Sequence, residues 1–177
     1  MRFFSGTFRK ARFQQLYLGG GTVNLLNKVQ LNKIMTHVYK FFNFIKNTRK
    51  SIECNPDIAK ESHMRQLRQM GFNRMNFGVQ SLTRKALKIN NRSYQTYAKV
   101  KDAILFAKKH GFTDIGIDLM AGLAGDSLDD FAKSFAKIAK LKPANIIVYV
   151  LRPPDKKYLS RLLKISEKNI LSNAGQK

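Results

Sequence analysis

One cysteine, Cys54, stands among 177 residues. It cannot close an intrachain disulfide, so nothing argues for a secreted, disulfide-stapled fold. A single thiolate also falls short of the three or four that hold an iron–sulfur cluster. Acids are scarce: 11 Asp and Glu face 33 Lys and Arg, a net charge of +22. The first acid is Glu53, and ten basic residues precede it, beginning with Arg2, Arg9, Lys10 and Arg12. An acid-free, arginine-containing start is the composition of an organelle-targeting leader. Here it runs straight into patterned structure, which argues against that reading. No apolar run approaches the roughly 18 residues of a membrane span, and a cytoplasmic protein is expected. The basic residues form no block of like charges, so they read as solvated faces. Charge-driven nucleic-acid binding is the alternative, and its affinity would fall steeply with salt. His37, His63 and His110 lie far apart, without paired ligands, and are expected on the surface or in packing rather than at a metal.

What is present is a regular alternation. Hydrophobic residues make up 44% of the chain, which excludes a disordered polymer, and the length favours one domain. Strands are expected at residues 14–18, 50–55, 74–80, 114–120 and 145–151, each bounded by turn residues. Between them lie helix patterns at 28–47, 60–70, 83–89 and 94–109, and one starting after Ser127. Leu31, Ile34, Met35, Val38, Phe42 and Ile45 mark the inner face of the first. Tyr97, Val100, Ile104 and Ala107 mark that of the fourth. Leu128, Phe131, Ala132, Phe135, Ile138 and Ala139 mark that of the last, which Ser127 and Asp130 are placed to cap. Residues 1–13 show no pattern and are expected to be an unstructured leader or remnant. Residues 14–152 form the core. Residues 153–177, after Pro153-Pro154, form a helical or disordered tail. Strand–helix repetition of this kind makes a parallel α/β sheet with right-handed crossovers, or part of a barrel.

In either architecture, ligands sit at the carboxyl ends of the strands. Polar and glycine residues gather there: Gly19-Gly20-Gly21-Thr22, Glu53 to Asn55, Gly78 to Ser81, and Asp118 to Gly122. Three glycines let a ligand approach the backbone, and the lysine of a phosphate-binding loop is missing. Glu53 can accept from ribose hydroxyls or an amine, and the Gln80 amide can donate and accept. Asp118, between Ile117 and Leu119, needs a partner if buried; Arg92 is the expected source of that charge. Four polar strand ends point to one shared pocket.

Six strings then match a known family in order and spacing. They are Leu18 to Thr22, Ile52 to Asp57, Gly71 to Arg74, Phe77 to Ser81, Ile117 to Leu123, and Leu141-Lys142-Pro143. Over about residues 14–152 the chain resembles the HemN/HemW-like radical S-adenosylmethionine (SAM) proteins, which include oxygen-independent coproporphyrinogen III oxidases and haem chaperones. The resemblance implies a partial (β/α) barrel of about five parallel strands with crossover helices, holding SAM at the strand tips. It assigns Gly20, Gly21 and Thr22 to the methionyl part of SAM and Glu53 to the ribose. Gln80, Arg92 and Asp118 complete that pocket. Porphyrin or haem is the implied partner chemistry: radical oxidative decarboxylation of coproporphyrinogen III propionates, or haem delivery. Asn55-Pro56 is closer to the chaperone version of its string.

The departures bear on activity. The family's Cys-x3-Cys-x2-Cys loop, upstream of the glycines, has no counterpart here, so the ligands of a [4Fe–4S] cluster are absent. Val23 and Ala124 stand where the family has prolines that stiffen loops. A truncated core is therefore expected, inactive in radical chemistry by itself, with a missing N-terminal fragment as possible partner. A SAM- or haem-binding module without catalysis is the competing expectation.

Overall fold

The computed structural model describes residues 1–151. Five strands form a single sheet: β1 Arg12–Leu18, β2 Asn43–Cys54, β3 Arg74–Gln80, β4 Asp114–Ala121 and β5 Asn145–Val150. Their order is β1-β2-β3-β4-β5, and every neighbouring pair is parallel. This order never reverses. A doubly wound sheet reverses at a switch point and carries helices on both faces. A sheet wound in one direction puts its helices on one side and curls, which is the geometry of a partial (β/α) barrel.

Side-chain alternation sorts the two faces. Ile52 and Cys54, Met75, Phe77 and Val79, and Ile115, Ile117 and Leu119 enter the core beneath the helices. The alternate residues are polar or small: Ser51 and Glu53, Arg74, Asn76 and Gly78, Asp114, Gly116 and Asp118. The core is closed by α2 (Lys28–Phe41), α3 (Glu61–Gln69), α5 (Tyr97–Lys109) and α6 (Leu128–Ala139). Leu31 and Met35, Met64 and Leu67, Val100, Ala103, Ile104 and Ala107, and Ile138 pack against the sheet. Asn27 caps α2, accepting from the Gln30 amide at 3.0 Å while Gln30 Oε1 accepts from Asn27 N–H at 2.9 Å. Ser127 Oγ accepts from the Asp130 amide at 3.1 Å and donates to the Asp130 carboxylate at 2.7 Å. A short helix, α4 (Arg84–Ile89), stands between β3 and α5.

Several boundaries differ from the sequence reading. The helix expected to reach residue 47 stops at Phe41, and β2 already runs from Asn43. Phe42 and Ile45 continue the helical spacing, but Phe42 and Phe44 also alternate as in a strand. Tertiary contact decides, because both rings pack on Phe13 of β1, at 5.6 and 6.0 Å between centroids. Residues 1–13, expected to be without structure, hold α1 (Arg2–Thr7) and the first residues of β1. Phe8, just past α1, lies edge-on to Phe13. On α6 the inner stripe is narrower than expected. Phe131, Ser134 and Ile138 face the sheet, whereas Leu128 and Phe135 are exposed, as are Ala132 and Ala139. Ser134 Oγ accepts from Leu82 N–H, so a hydrogen bond takes the place of an apolar contact. Tyr97 lies on the exposed side of α5. Pro153-Pro154 and the expected tail lie outside the described residues. No helix among the described residues is long and apolar enough to cross a membrane.

Candidate functional site

The strand tips enclose a hollow of about 140 Å³ lined by Gly21, Thr22, Glu53, Gln80, Arg92 and Asp118, with Cys54, Asn55 and Gly78 between them. They come from the ends of β1, β2, β3 and β4 and from the loop after α4. The first turn is built on Glu53. Its carboxylate accepts from the Tyr17 hydroxyl and, at 3.2 Å, from Gly20 N–H. A Cβ on Gly19 would meet the Tyr17 ring at 2.4 Å and Glu53 Oε2 at 2.9 Å, so a side chain there would displace this pair. Gly20 and Gly21 follow at φ of +89° and +60°, where side chains are strained. Gly20 stands at the rim and supplies its amide. Burial, then the Glu53 hydrogen bond and charge, push the Tyr17 phenol up, which keeps it a donor.

The second anchor is Asp118, which is 7% exposed. The expected partner, Arg92, does not bond to it. Asn76 Nδ2 donates to Asp118 Oδ2 at 2.5 Å instead, from the neighbouring strand. Arg92 Nη1 donates to Gly78 O at 3.1 Å and to Gln95 Oε1 at 3.3 Å, and so reaches the hollow from its rim. An amide donor supports the Asp118 charge only in part. Burial pushes the carboxyl above its ordinary range; the Asn76 bond pulls it down, and Glu53 adds a further upward push.

Asn76 has room because residue 116 is glycine. A Cβ there would lie 2.0 Å from Asn76 Oδ1 and 2.7 Å from Asn145 Oδ1. Gly116→Ala must therefore push Asn76 off Asp118. We expect it to lower the unfolding free energy by about 1–3 kcal/mol, measured by urea denaturation. An unchanged midpoint would show that Asn76 moves at no cost.

Gln80 occupies a strained position. The β3–β4 register shifts between Gly78 and Gln80, and Gln80 has φ +67°. Left-handed backbone at a non-glycine residue costs on the order of 1–3 kcal/mol and gathers at functional sites. Behind it, the buried Gln95 amide donates to Val79 O at 2.7 Å and Ser81 O at 2.9 Å, holding the bulge. Gln80→Gly is expected to raise thermal stability, by about 1 kcal/mol at the midpoint. A lower melting temperature would show that the Gln80 side chain repays its strain within the ligand-free protein.

Of the residues singled out from sequence, all except Gly20 line the hollow, and Gly20 is bonded to its wall. Sequence reasoning missed Tyr17, Asn76 and Gln95. Period-two spacing from Gly19 and from Gly78 marks Tyr17 and Asn76 as facing the same way as the site. Gln95 carries no local signal. The histidines have local roles: His37 Nδ1 contacts Lys33 O at 2.7 Å, His63 accepts from Lys60 N–H at 3.5 Å, and His110 contacts Glu61 at 3.1 Å.

The two groups implied by the resemblance fare differently. Gln80 Oε1 and Asp118 Oδ1 are buried acceptors with no hydrogen-bond partner among the described residues. With Glu53 they suit a ligand rich in N–H and O–H donors, as SAM is. An iron–sulfur cluster does not fit this chain's residues. Cys54 is its one thiol and is buried, with its pKa pushed up to about 12 by desolvation and Glu53. No group of three His, Cys, Asp or Glu suited to a metal ion occurs among the described residues.

Comparisons with known proteins agree with this fold. The family model described as the radical SAM superfamily matches residues 6–138. An oxygen-independent coproporphyrinogen III oxidase from Helicobacter pylori is 32% identical over 136 residues, covering 76% of this chain and 30% of that protein. The heme chaperone HemW of Buchnera aphidicola is 28% identical over 159 residues, 89% of this chain and 42% of that protein. The structure of coproporphyrinogen III oxidase (HemN) from Escherichia coli superposes with a TM-score of 0.85 at 28% identity, over 96% of this chain and 39% of that one. This chain thus spans less than half the length of each. A family match over most of the chain, and a fold that agrees with it, make this a HemN/HemW-like member of the radical SAM superfamily.

Proposed function

We propose that this chain binds SAM across its strand tips and, by itself, carries out no radical chemistry. The observation that carries this reading is the convergence of Gly21, Thr22, Glu53, Gln80, Arg92 and Asp118 on one hollow with two unpartnered buried acceptors. Charge supports it. A chain with three basic residues for every acid places two of its 11 acids, Glu53 and Asp118, at this one spot. With Arg92 at the rim the two carboxylates still leave a net negative charge, which suits a cation, and SAM carries a sulfonium and an ammonium. Bound SAM supplies an adenosyl and a methyl group on sulfur. Glu53 holds the glycine turn and accepts from the ribose. Gly20 and Gly21 give the methionyl part access to the backbone beside Thr22. Gln80 and Asp118 take the remaining donors, and Arg92 closes the rim. We assign the chain to porphyrin or haem chemistry on the names of its relatives, as a coproporphyrinogen oxidase-like or haem chaperone-like protein. Radical cleavage of SAM would need a cluster supplied from outside this chain.

Equilibrium dialysis with labelled SAM tests the binding. Saturation below millimolar concentration is expected, and no binding at millimolar SAM contradicts the reading. Anaerobic reconstitution with iron, sulfide and a reductant tests the second half. No 5′-deoxyadenosine is expected, and its cluster-dependent formation overturns the claim of inactivity.

The pH dependence follows from Asp118. Its folded pKa lies above its unfolded value, so the ligand-free fold holds the proton more tightly. Stability from this group is present at low pH and is lost as pH rises through the raised pKa. Asp57 and Asp126, also raised by burial, act in the same direction, while Glu61, lowered by Lys109 and His110, acts oppositely. SAM affinity should run the other way, rising over the window in which Asp118 ionises. Affinity that is flat from pH 4 to 7.5, on the order of the carboxylate range and above, would remove Asp118 from the site.

A further inference from the structure

A second cavity lies just beyond the end of β3, between α4 and α5. Its volume is about 430 Å³, roughly three times that of the SAM hollow, and the two share no lining residue. Such a volume falls within the range of about 300–1,000 Å³ typical of small-molecule sites. The floor is apolar, made by Leu82, Leu87 and the exposed ring of Tyr97. The rim is cationic: Arg84 and Lys88 stand one helical turn apart on α4. Ser93 and Thr96 add hydroxyls from the loop that enters α5.

Three observations define what this cleft selects. No carboxylate lines it. Among the described residues, neither Arg84 nor Lys88 takes part in a salt bridge. From Ser81 to Lys101 the chain carries six Lys or Arg and no Asp or Glu; Asp126, which accepts from Ser81 Oγ at 2.9 Å, faces the start of this segment but does not line the cleft. Side chains four apart on a helix sit about 5–6 Å from each other at Cβ, close enough to grip one phosphate group together. An apolar floor with one aromatic ring beside it accommodates a flat heterocycle.

We infer that the α4–α5 cleft is a binding site for a phosphorylated nucleoside, with Arg84 and Lys88 on the phosphates and the base over Leu82, Leu87 and Tyr97. Gln95 lines the cleft and also accepts from Arg92 of the strand-tip hollow, but the proposal does not rest on the assignment of that hollow.

ADP binding to the whole chain, followed by equilibrium dialysis, tests this, with adenosine and inorganic pyrophosphate as companion ligands. ADP should bind saturably and more tightly than either companion, since each companion offers only half of the contacts. Arg84→Glu with Lys88→Glu should weaken ADP at least tenfold, and Tyr97→Ala severalfold. A chain of +22 charge attracts any polyanion, so the control is a reversal of equal charge on exposed α6 positions, Lys133→Glu with Lys137→Glu. That control should leave ADP affinity within twofold. Equal losses from the two reversals would mean unspecific attraction and overturn the proposal. Loss of ADP binding in Asp118→Asn would place the nucleotide in the strand-tip hollow and overturn it as well. So would the absence of ADP binding at millimolar concentration.

Discussion

Phe77→Ala is expected to lower the unfolding free energy by about 3–5 kcal/mol. Phe77 is fully buried in β3, the middle strand of five. Its ring belongs to the one cluster that joins Met64 and Leu67 of α3, Val100 and Ile104 of α5, and Ile117 of β4. Truncation leaves a cavity that the flanking strands cannot collapse into, because both are locked in register with β3 from Ser51 to Cys54 and from Asp114 to Leu119. A loss of that size is a large share of the roughly 5–15 kcal/mol by which domains are stable. Urea denaturation followed by circular dichroism reads it directly. A loss below about 1 kcal/mol would mean that the helices do not close tightly over the middle of the sheet.

Asp118→Asn carries the largest expected effect on binding. Losing a charge-assisted hydrogen bond costs about 1.5–3 kcal/mol, which is about a 10- to 100-fold loss of SAM affinity. The fold should tolerate the change. The new amide still offers an oxygen to Asn76 Nδ2, and the cost of burying a charge disappears. The ligand-free variant should therefore melt no lower than the parent, and its SAM affinity should lose most of its pH dependence. A variant that binds SAM as the parent does would show that Asp118 serves only the β3–β4 pairing. Dialysis and melting temperature, taken on the same preparation, separate the two effects.

The sequence made the architecture legible because each strand carries its own stop. Gly19 to Gly21, Pro56, Ser81 and Gly122 end four strands at the same edge of the sheet. The polar groups at those stops are the ones that line the hollow. What stayed hidden depends on register rather than on local pattern. Asn76 reaches Asp118 because Asn76 pairs with Gly116 and Gly78 with Asp118 across β3 and β4. Spacing within either strand cannot supply that alignment, so Arg92 stood as the only cation in view for Asp118. The end of α2 was hidden for a related reason. Phe42 and Ile45 satisfy a helix, and the contact of Phe42 and Phe44 with Phe13 accompanies the end of α2 at Phe41 and the start of β2 at Asn43. Gln95, which holds the Gln80 bulge from behind, lies 15 residues downstream of it with nothing nearby to mark it.

Nitrogen-15 amide chemical-shift mapping during SAM titration tests most directly whether the strand tips form one ligand site. The expected result is a single saturating set of shifts at Gly20 to Thr22, Glu53, Gln80, Arg92 and Asp118, with α2 and the exposed face of α5 unmoved. Shifts that gather on those helices, or that scatter over the basic surface without saturating, would contradict it.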